Sequence, residues 1–368
     1  MTDRRFDVVV VGAGVAGSAL AESLVTLSDV SVLVCDAAPL PGAHSSGRSV
    51  AVFDPLYGNP SVQVLTAASR SRLESGILGE GSLLAARDLI HVATTERLRL
   101  LDDAFPLGTH GAERLDEREL ISAFPALRPG ALAQGVRHLG GADLDVDRLH
   151  QGLIASARQA GASVELSARV NSFEWQGSGW SLQIGGGAVH CGVVVDAAGG
   201  WADDVAVAAG AAPRGAVAHR RSVGVARAVD LHVAQWAMLA DIGSGWYIKP
   251  DGAAVLLSPA DATPVPPGDP KADELELARA IDAINAVTTL DVRSLSRTWA
   301  GLRTYTADET PLIGPDPDVP SLFWHAAFGG FGLQVSVAAG RLAAEMILGV
   351  DPHLDPAPYA PSRLEPTR

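Results

Sequence analysis

Residues 6–36 read FDVVVVGAGVAGSALAESLVTLSDVSVLVCD, and this stretch decides the fold. Phe6–Val11 is a short valine-rich run, the composition of a strand buried on both faces. Gly12, Gly14 and Gly17 follow it in the spacing GxGxxG. Ala16–Leu27 then takes helical spacing, with Leu20, Leu24 and Leu27 on one face. Ser31–Cys35 is a second apolar run, and it ends at Asp36, 19 residues after Gly17. Strand, glycine turn, helix, strand and acid stand in the order of a dinucleotide-binding β-α-β unit. The first glycine makes the tight turn, the second admits the pyrophosphate, and the third lets helix pack on strand. The helix N-terminus offers free N–H groups and a positive dipole end to the phosphates. A carboxylate at Asp36 accepts hydrogen bonds from ribose hydroxyls and repels a 2′-phosphate.

The motif does not separate FAD from NAD. A later strand, Val193–Val195, runs into DAAGGWAD, whose Ala197, Ala198 and Gly199 are small. A strand ending in small residues lets a long extended cofactor lie close, which favours FAD. No second nucleotide site is visible, so one resident dinucleotide is expected.

Further pieces with the same flavour recur. Ala37–Pro60 is loop-rich, and Val62–Glu74 returns to helical spacing. Asp145 and Asp147 open a helix that Gly161 closes. Leu322–Ala327 reads as a strand, and Leu333–Leu348 as a final helix stopped by Gly349. Between these lie β-like stretches across Ala216–Pro259 and an amphipathic helix over Leu275–Ala286. The nucleotide-binding domain is therefore expected to be discontinuous, over 1–85, 145–215 and 305–368. The insertions 86–144 and 216–304 would build a second domain. The fold class is α/β, a Rossmann-type domain joined to an α+β domain on a mostly antiparallel sheet.

A chain of 368 residues fits this two-domain reading. The formal charge of −14 argues against nucleic acid as a partner, because phosphate neutralisation needs a basic surface. Cys35 and Cys191 sit in apolar runs and read as reduced core thiols. No metal-ligand spacing is present, so no metal is expected. The opening arginines precede an apolar run that breaks into glycines after six residues, which argues against a signal peptide. No run approaches about 18 apolar residues. A cytoplasmic chain without a transmembrane segment is expected.

Several motifs carry a resemblance: HSSGRSVAVFDPLYGNP (44–60), LTAASR (65–70), GADLDVDRLHQG (141–152), VVDAAGGWAD (194–203), HRRS (219–222), WYIKPD (246–251), TWAGLRTYTAD (298–308) and FGGFGLQVS (328–336). With these the chain resembles the D-amino acid oxidase superfamily of FAD-dependent oxidoreductases over nearly its whole length. Within it the motifs are most similar to bacterial FAD-dependent D-arginine dehydrogenases. The resemblance implies that Gly12, Gly14, Gly17 and Asp36 hold the ADP half of noncovalent FAD. It places Ser45, Gly47, Arg48 and Ser49 in a loop past the flavin, and Val170 against adenine. Ala198, Gly199 and Trp201 belong to the second nucleotide strand. Gly329, Gly330, Gly332, Leu333 and Gln334 would bring backbone N–H groups to the flavin pyrimidine edge, where reduced flavin carries negative charge.

Arg303 follows the largely apolar run TWAGLR, where a guanidinium is poorly solvated and needs an anionic partner. The resemblance makes that partner a substrate carboxylate, with Tyr247 and Arg221 as further ligands and Tyr57 as a lid residue. It implies hydride transfer from the substrate Cα to flavin N5, giving an imino acid that hydrolyses to a 2-oxo acid and ammonia. A D-amino acid is the expected substrate, and a quinone or O2 the expected electron acceptor. A secondary-amine oxidase of sarcosine or glycine type stands as the alternative, as does a non-catalytic FAD-binding subunit. Two departures from the D-arginine dehydrogenase pattern, Val52 for a histidine and Leu89 for a glutamate that meets the substrate guanidinium, imply neutral or apolar substrate side chains.

Overall fold

The computed structural model describes residues 4–79, 81–227 and 233–367. At its centre the valine-rich strand Arg4–Val11 is flanked by Val32–Cys35 and Gly187–Asp196, all parallel. Ser163–Glu165 extends this row beyond Val32–Cys35, and Leu322–Ala326 extends it beyond Gly187–Asp196. Leu312–Pro315 adds an antiparallel edge. The hairpin Val170–Trp175 and Trp180–Ile184 joins the first half of Gly187–Asp196 and completes an eight-stranded sheet. The strand expected at Val193–Val195 is thus the end of a longer one. Only that end is continuously buried, so only that end has an apolar signature.

Helices Val15–Leu27 and Gly332–Leu348 cover one face, and Leu20, Leu24, Val335, Ala339 and Leu342 between them are fully buried. Their approach depends on Gly340, where a Cβ would lie 2.6 Å from the backbone of Ala19. Helix starts follow local chemistry. Asn59 accepts from Val62 N at 3.1 Å, and Pro60 occupies the first helical position, so that helix begins two residues before the expected Val62. Asp145 caps Val146–Gln159 in the same way, accepting from Arg148 N at 3.0 Å. Gly349 ends the last helix in the left-handed region, as its position predicts.

The second sheet has nine strands. Val217–Arg227 pairs along its length with Arg297–Tyr305, and Ala254–Ser258, Tyr247–Asp251 and Met238–Asp241 continue the sheet. Leu89–Ala93, Gln134–His138 and Ala112–Asp116 extend it further. Among the described residues its one parallel contact is Met238–Asp241 with Leu89–Ala93, and the other pairings are antiparallel. Helix Glu274–Val287 buries Leu277, Ala280 and Ile284 against it. The architecture is therefore α/β, with a Rossmann-type sheet and a mostly antiparallel second sheet. A cavity of about 590 Å³ lies between them, lined by residues of both.

Candidate active site

One end of the cavity is built from backbone. A Cβ on Gly12 would lie 2.3 Å from the carbonyl oxygen of Ala197, and one on Gly17 would lie 2.0 Å from that of Gly12. Both glycines are thus required by packing, and Gly12 also takes φ +116°. The Asp36 carboxylate accepts from Ala13 N and Ala38 N, each at 2.8 Å, and still lines the cavity. One oxygen serves each amide, which leaves lone pairs for ribose hydroxyls. The amide of Val15 donates to Ser46 Oγ at 3.1 Å, so the loop at 44–49 closes over the helix N-terminus. From below, His150 Nε2 stands 2.9 Å from the Ala13 carbonyl, which ties the GADLDVDRLHQG segment to the glycine turn.

The other end is built from side chains. Arg221 stands opposite Gly301 in the strand pair, and Arg303 stands opposite His219. Paired residues share a face, so both guanidiniums point the same way. The two line the cavity, and neither forms an ion pair among the described residues. Arg221 donates Nε–H to the carbonyl of Asp261 at 2.7 Å, and Arg303 reaches the Tyr57 hydroxyl at 3.4 Å. Burial, and then the charge on Arg303, pull the pKa of Arg221 down. Burial acts on Arg303 too, but the phenols of Tyr57, Tyr247 and Tyr305 outweigh it and hold its pKa up. Burial pushes the Tyr57 phenol up to about 12.

A Cβ on Gly330 would lie 2.5 Å from the Tyr57 hydroxyl, 2.9 Å from Arg303 Nη1 and 3.1 Å from the Tyr305 hydroxyl. The glycine turn before helix Gly332–Leu348 therefore runs directly over the arginine. No side chain caps that helix, and Gly332 and Leu333 in its first turn line the cavity. Tyr247 also lines the cavity, and its buried hydroxyl has no hydrogen-bond partner among the described residues. Two unpaired guanidiniums and an unpartnered phenol at one end of a cavity are a receptor for an anion, and a planar carboxylate suits the guanidinium fork.

Most expected residues meet here. Gly12, Gly14, Asp36, Ser45, Arg48, Ser49, Val170, Ala198, Gly199, Trp201, Gly329, Gly330, Gly332 and Leu333 line the cavity, as do Arg221, Tyr247 and Arg303. Tyr57 stands behind Arg303. Four of the expected residues do not line it, Tyr57 among them. Gly17 packs beneath the turn. Gly47 lines a neighbouring cleft with Arg48 and Asp269. Gln334 points away, its amide bonded to Asp54 and Thr66, because the helix turns its third residue toward the core.

Arg48 also differs from the expectation of a flavin contact. Its guanidinium is spent on the Ala43 and Ala300 carbonyls and Asp269. Leu89 is not a wall of the substrate end. It is buried in its own strand against Gly141, while Asp88 pairs with Arg137 at 3.1 Å. Val52 likewise pairs with Asp143 in a short three-stranded sheet outside the cavity lining.

Sequence reading missed four residues. His44 and Ser46 stand inside HSSGRS and line the cavity. Tyr305 follows Arg303 by two, and strand alternation puts it on the same face. His325 had no signal, since LFWHA reads as a buried strand.

The sequence profile of the FAD dependent oxidoreductase family matches residues 7–346. The chain belongs to this family. Glycine oxidase from Pseudomonas putida is 27% identical over 96% of this chain and 98% of its own length. Human mitochondrial dimethylglycine dehydrogenase is 24% identical over 98% of this chain, which spans 44% of that relative's length. Among solved structures, glycine oxidase from Geobacillus kaustophilus superposes with a TM-score of 0.86 at 22% identity, covering 98% of this chain and 100% of that one. L-proline dehydrogenase from P. horikoshii gives 0.88 at 17% identity, covering 98% of each. The cofactor of this FAD dependent oxidoreductase is FAD, and the glycine cradle, Asp36 and the free helix end fit it. Among the described residues, no helix is long and apolar enough to cross a membrane.

Proposed function

We propose that this chain oxidises the carbon–nitrogen bond of a small amino acid of the glycine or N-alkylglycine type. The observation that carries the reading is the pair Arg221 and Arg303, two guanidiniums facing one cavity end without a carboxylate of their own. Their role is to grip the substrate carboxylate, Arg303 through its fork and Tyr247 through its free hydroxyl. Tyr57, Tyr305 and Phe331 pack on one another beside Arg303, outside the cavity lining, and hold its guanidinium in place. The acidic residues of the cavity lining are Asp36 and Asp204, both toward the nucleotide end, so a basic substrate side chain lacks a partner. The glycine oxidase and dimethylglycine dehydrogenase relatives support the same substrate class over the D-amino acid expected from the sequence.

FAD, when bound, supplies the two-electron acceptor for this step. The protein fixes the carboxylate and so aims the substrate's Cα–H. The tyrosines packed beside Arg303 keep water from its buried side and strengthen its electrostatics. The amine reacts in its neutral form, with its proton passing to water, so the rate rises with pH.

The test is anaerobic flavin bleaching across glycine, sarcosine, N,N-dimethylglycine, D-leucine, D-methionine and D-arginine. The glycine derivatives are expected to bleach the flavin fastest at limiting concentration. Faster bleaching by any of the larger D-amino acids would overturn the reading. Oxygen consumption against dye reduction in the same panel assigns the acceptor.

A further inference from the structure

The segment GADLDVDRLHQG (141–152) contains a histidine that reaches the glycine turn from outside the cavity. His150, in helix Val146–Gln159, is 4% exposed. Its Nε2 stands 2.9 Å from the carbonyl oxygen of Ala13. A carbonyl can only accept, so Nε2 carries the proton and donates it. Burial pulls the pKa of the ring down, against the Ala13 backbone and the charges of Asp147 and Asp36, which raise it. Ser18 Oγ lies 3.2 Å from the same nitrogen and 3.4 Å from the same carbonyl, longer than an ordinary O–H···O bond. His150 is therefore the principal donor to Ala13.

Ala13 is held at both of its backbone groups. Its N–H donates to Asp36 Oδ2 at 2.8 Å, and its C=O accepts from His150. In a trans peptide the C=O of one residue and the N–H of the next point in opposite directions, and no peptide among the described residues is cis. Gly12, Gly14 and Val15 line the cavity, whereas Ala13 and His150 lie off its wall. The Ala13 carbonyl thus points away from the cavity, and the Gly14 N–H points into it. That amide has no backbone partner among the described residues, and it stands at the start of helix Val15–Leu27, where the pyrophosphate of a dinucleotide belongs. The Cε1–Nδ1 edge of the same ring packs against the turn at Gly42, where a Cβ would lie 2.8 Å from Cε1 and 3.0 Å from Nδ1. Gly42 also lines the cavity, so one imidazole touches two of the loops that wall the cofactor end.

We propose that His150 is a positioning residue for FAD: its Nε2–H holds the Ala13 carbonyl away from the cavity and so keeps the Gly14 N–H aimed at the cofactor pyrophosphate. The plane of the Ala13–Gly14 peptide turns through ψ of Ala13 and φ of Gly14, and a glycine accepts either sign of φ. Backbone sterics alone therefore leave this plane free to turn, and the bonds at Ala13 fix it. The glycine that admits the pyrophosphate is thus the reason the peptide needs an anchor. A histidine that only packs helix Val146–Gln159 against helix Val15–Leu27 would be replaceable by any side chain of its size. The positioning role requires a donor at the place of Nε2.

Two variants of nearly equal side-chain length separate these roles, because glutamine carries an N–H donor at the reach of Nε2 and methionine carries none. In H150M the FAD dissociation constant, measured by fluorescence titration of the apoprotein, is expected to rise about tenfold. In H150Q it should stay within about threefold of wild type. An unchanged dissociation constant in H150M overturns the proposal. An equal loss in H150Q overturns it as well, since the donor would then be irrelevant. A readout on the wild-type protein needs no variant to fold. In protein labelled with ¹⁵N-glycine, the Gly14 amide resonance should move downfield when FAD is added, as an N–H does on bonding an anionic oxygen. A Gly14 resonance that stays fixed with FAD bound overturns the proposal too. Neither readout uses substrate, so each stands whether or not the glycine-type reading holds.

Discussion

The two ends of the cavity are made in different ways. The nucleotide end is a backbone cradle whose parts sit close together in sequence, from Val11 to Asp36. Its geometry is set by missing side chains, since a Cβ at Gly12 or Gly17 meets a carbonyl oxygen at 2.3 or 2.0 Å. The substrate end is a set of side chains gathered from residues 57, 221, 247, 303 and 305, with Gly330 threaded over them. Its geometry is set by charge held in place without a partner. A cradle fails sterically and as a whole, whereas a charge receptor fails by degrees, according to how much each group contributes.

That contrast ranks the perturbations. Gly17→Ala should have the largest effect, because neither the turn nor the helix can move aside for the new methyl group. Purified protein should contain FAD at less than about a tenth of the wild-type ratio, read from flavin absorbance. Full FAD occupancy would show that the cradle is softer than its contacts imply. Arg303→Met should leave FAD in place but lower kcat/KM on the order of a hundredfold, equivalent to about 3 kcal/mol for a charged partner lost from a buried site. Loss of FAD from this variant would instead make Arg303 a structural member of both ends. Tyr247→Phe removes one hydroxyl and should cost about tenfold in kcat/KM, as expected for a hydrogen bond to a charged group.

Acid should act on the buried ring of His325, near the end of strand Leu322–Ala326. His325 has a folded pKa of about 3, below the value of about 6.5 for an unfolded histidine. The unfolded chain therefore takes up the proton first. The stability tied to the neutral ring is complete above pH 6.5 and is lost as pH falls toward 3. Between pH 7 and pH 5.5 the apoprotein should lose on the order of 1 kcal/mol relative to H325L. Parallel denaturation curves at both pH values would remove His325 from this account. Tyr57→Phe should have the smallest effect, about two- to threefold in kcat/KM, because its hydroxyl meets Arg303 at a long 3.4 Å. A larger loss would move Tyr57 into direct contact with substrate.

The cradle was legible because its logic is local. Strand, turn, helix and acid fall within 31 residues, and hydrophobic period and glycine spacing report them directly. Arg303 and Tyr247 were legible through motif resemblance and through the poor solvation of an arginine in TWAGLR. Tyr305 was within reach, since the alternation of strand Arg297–Tyr305 puts it beside Arg303. Leu89 and Gln334 show the limits of that reading. Gln334 follows Leu333 of the cavity wall and Leu89 was matched to a site position by resemblance, yet each turns its side chain into the core rather than the cavity. One residue of register decides which face a side chain takes, and local pattern does not fix register against a distant strand.

The sequence by itself determined the dinucleotide cradle and the alternation of elements, because both depend on contacts between near neighbours in the chain. Only the tertiary structure decided that Arg221 and Arg303 face one cavity without ion-pair partners among the described residues, and that Arg48 is occupied elsewhere. Whether a polar group is satisfied depends on what the folded chain brings to it from far away, and that inventory of partners is not written in the residue's own neighbourhood.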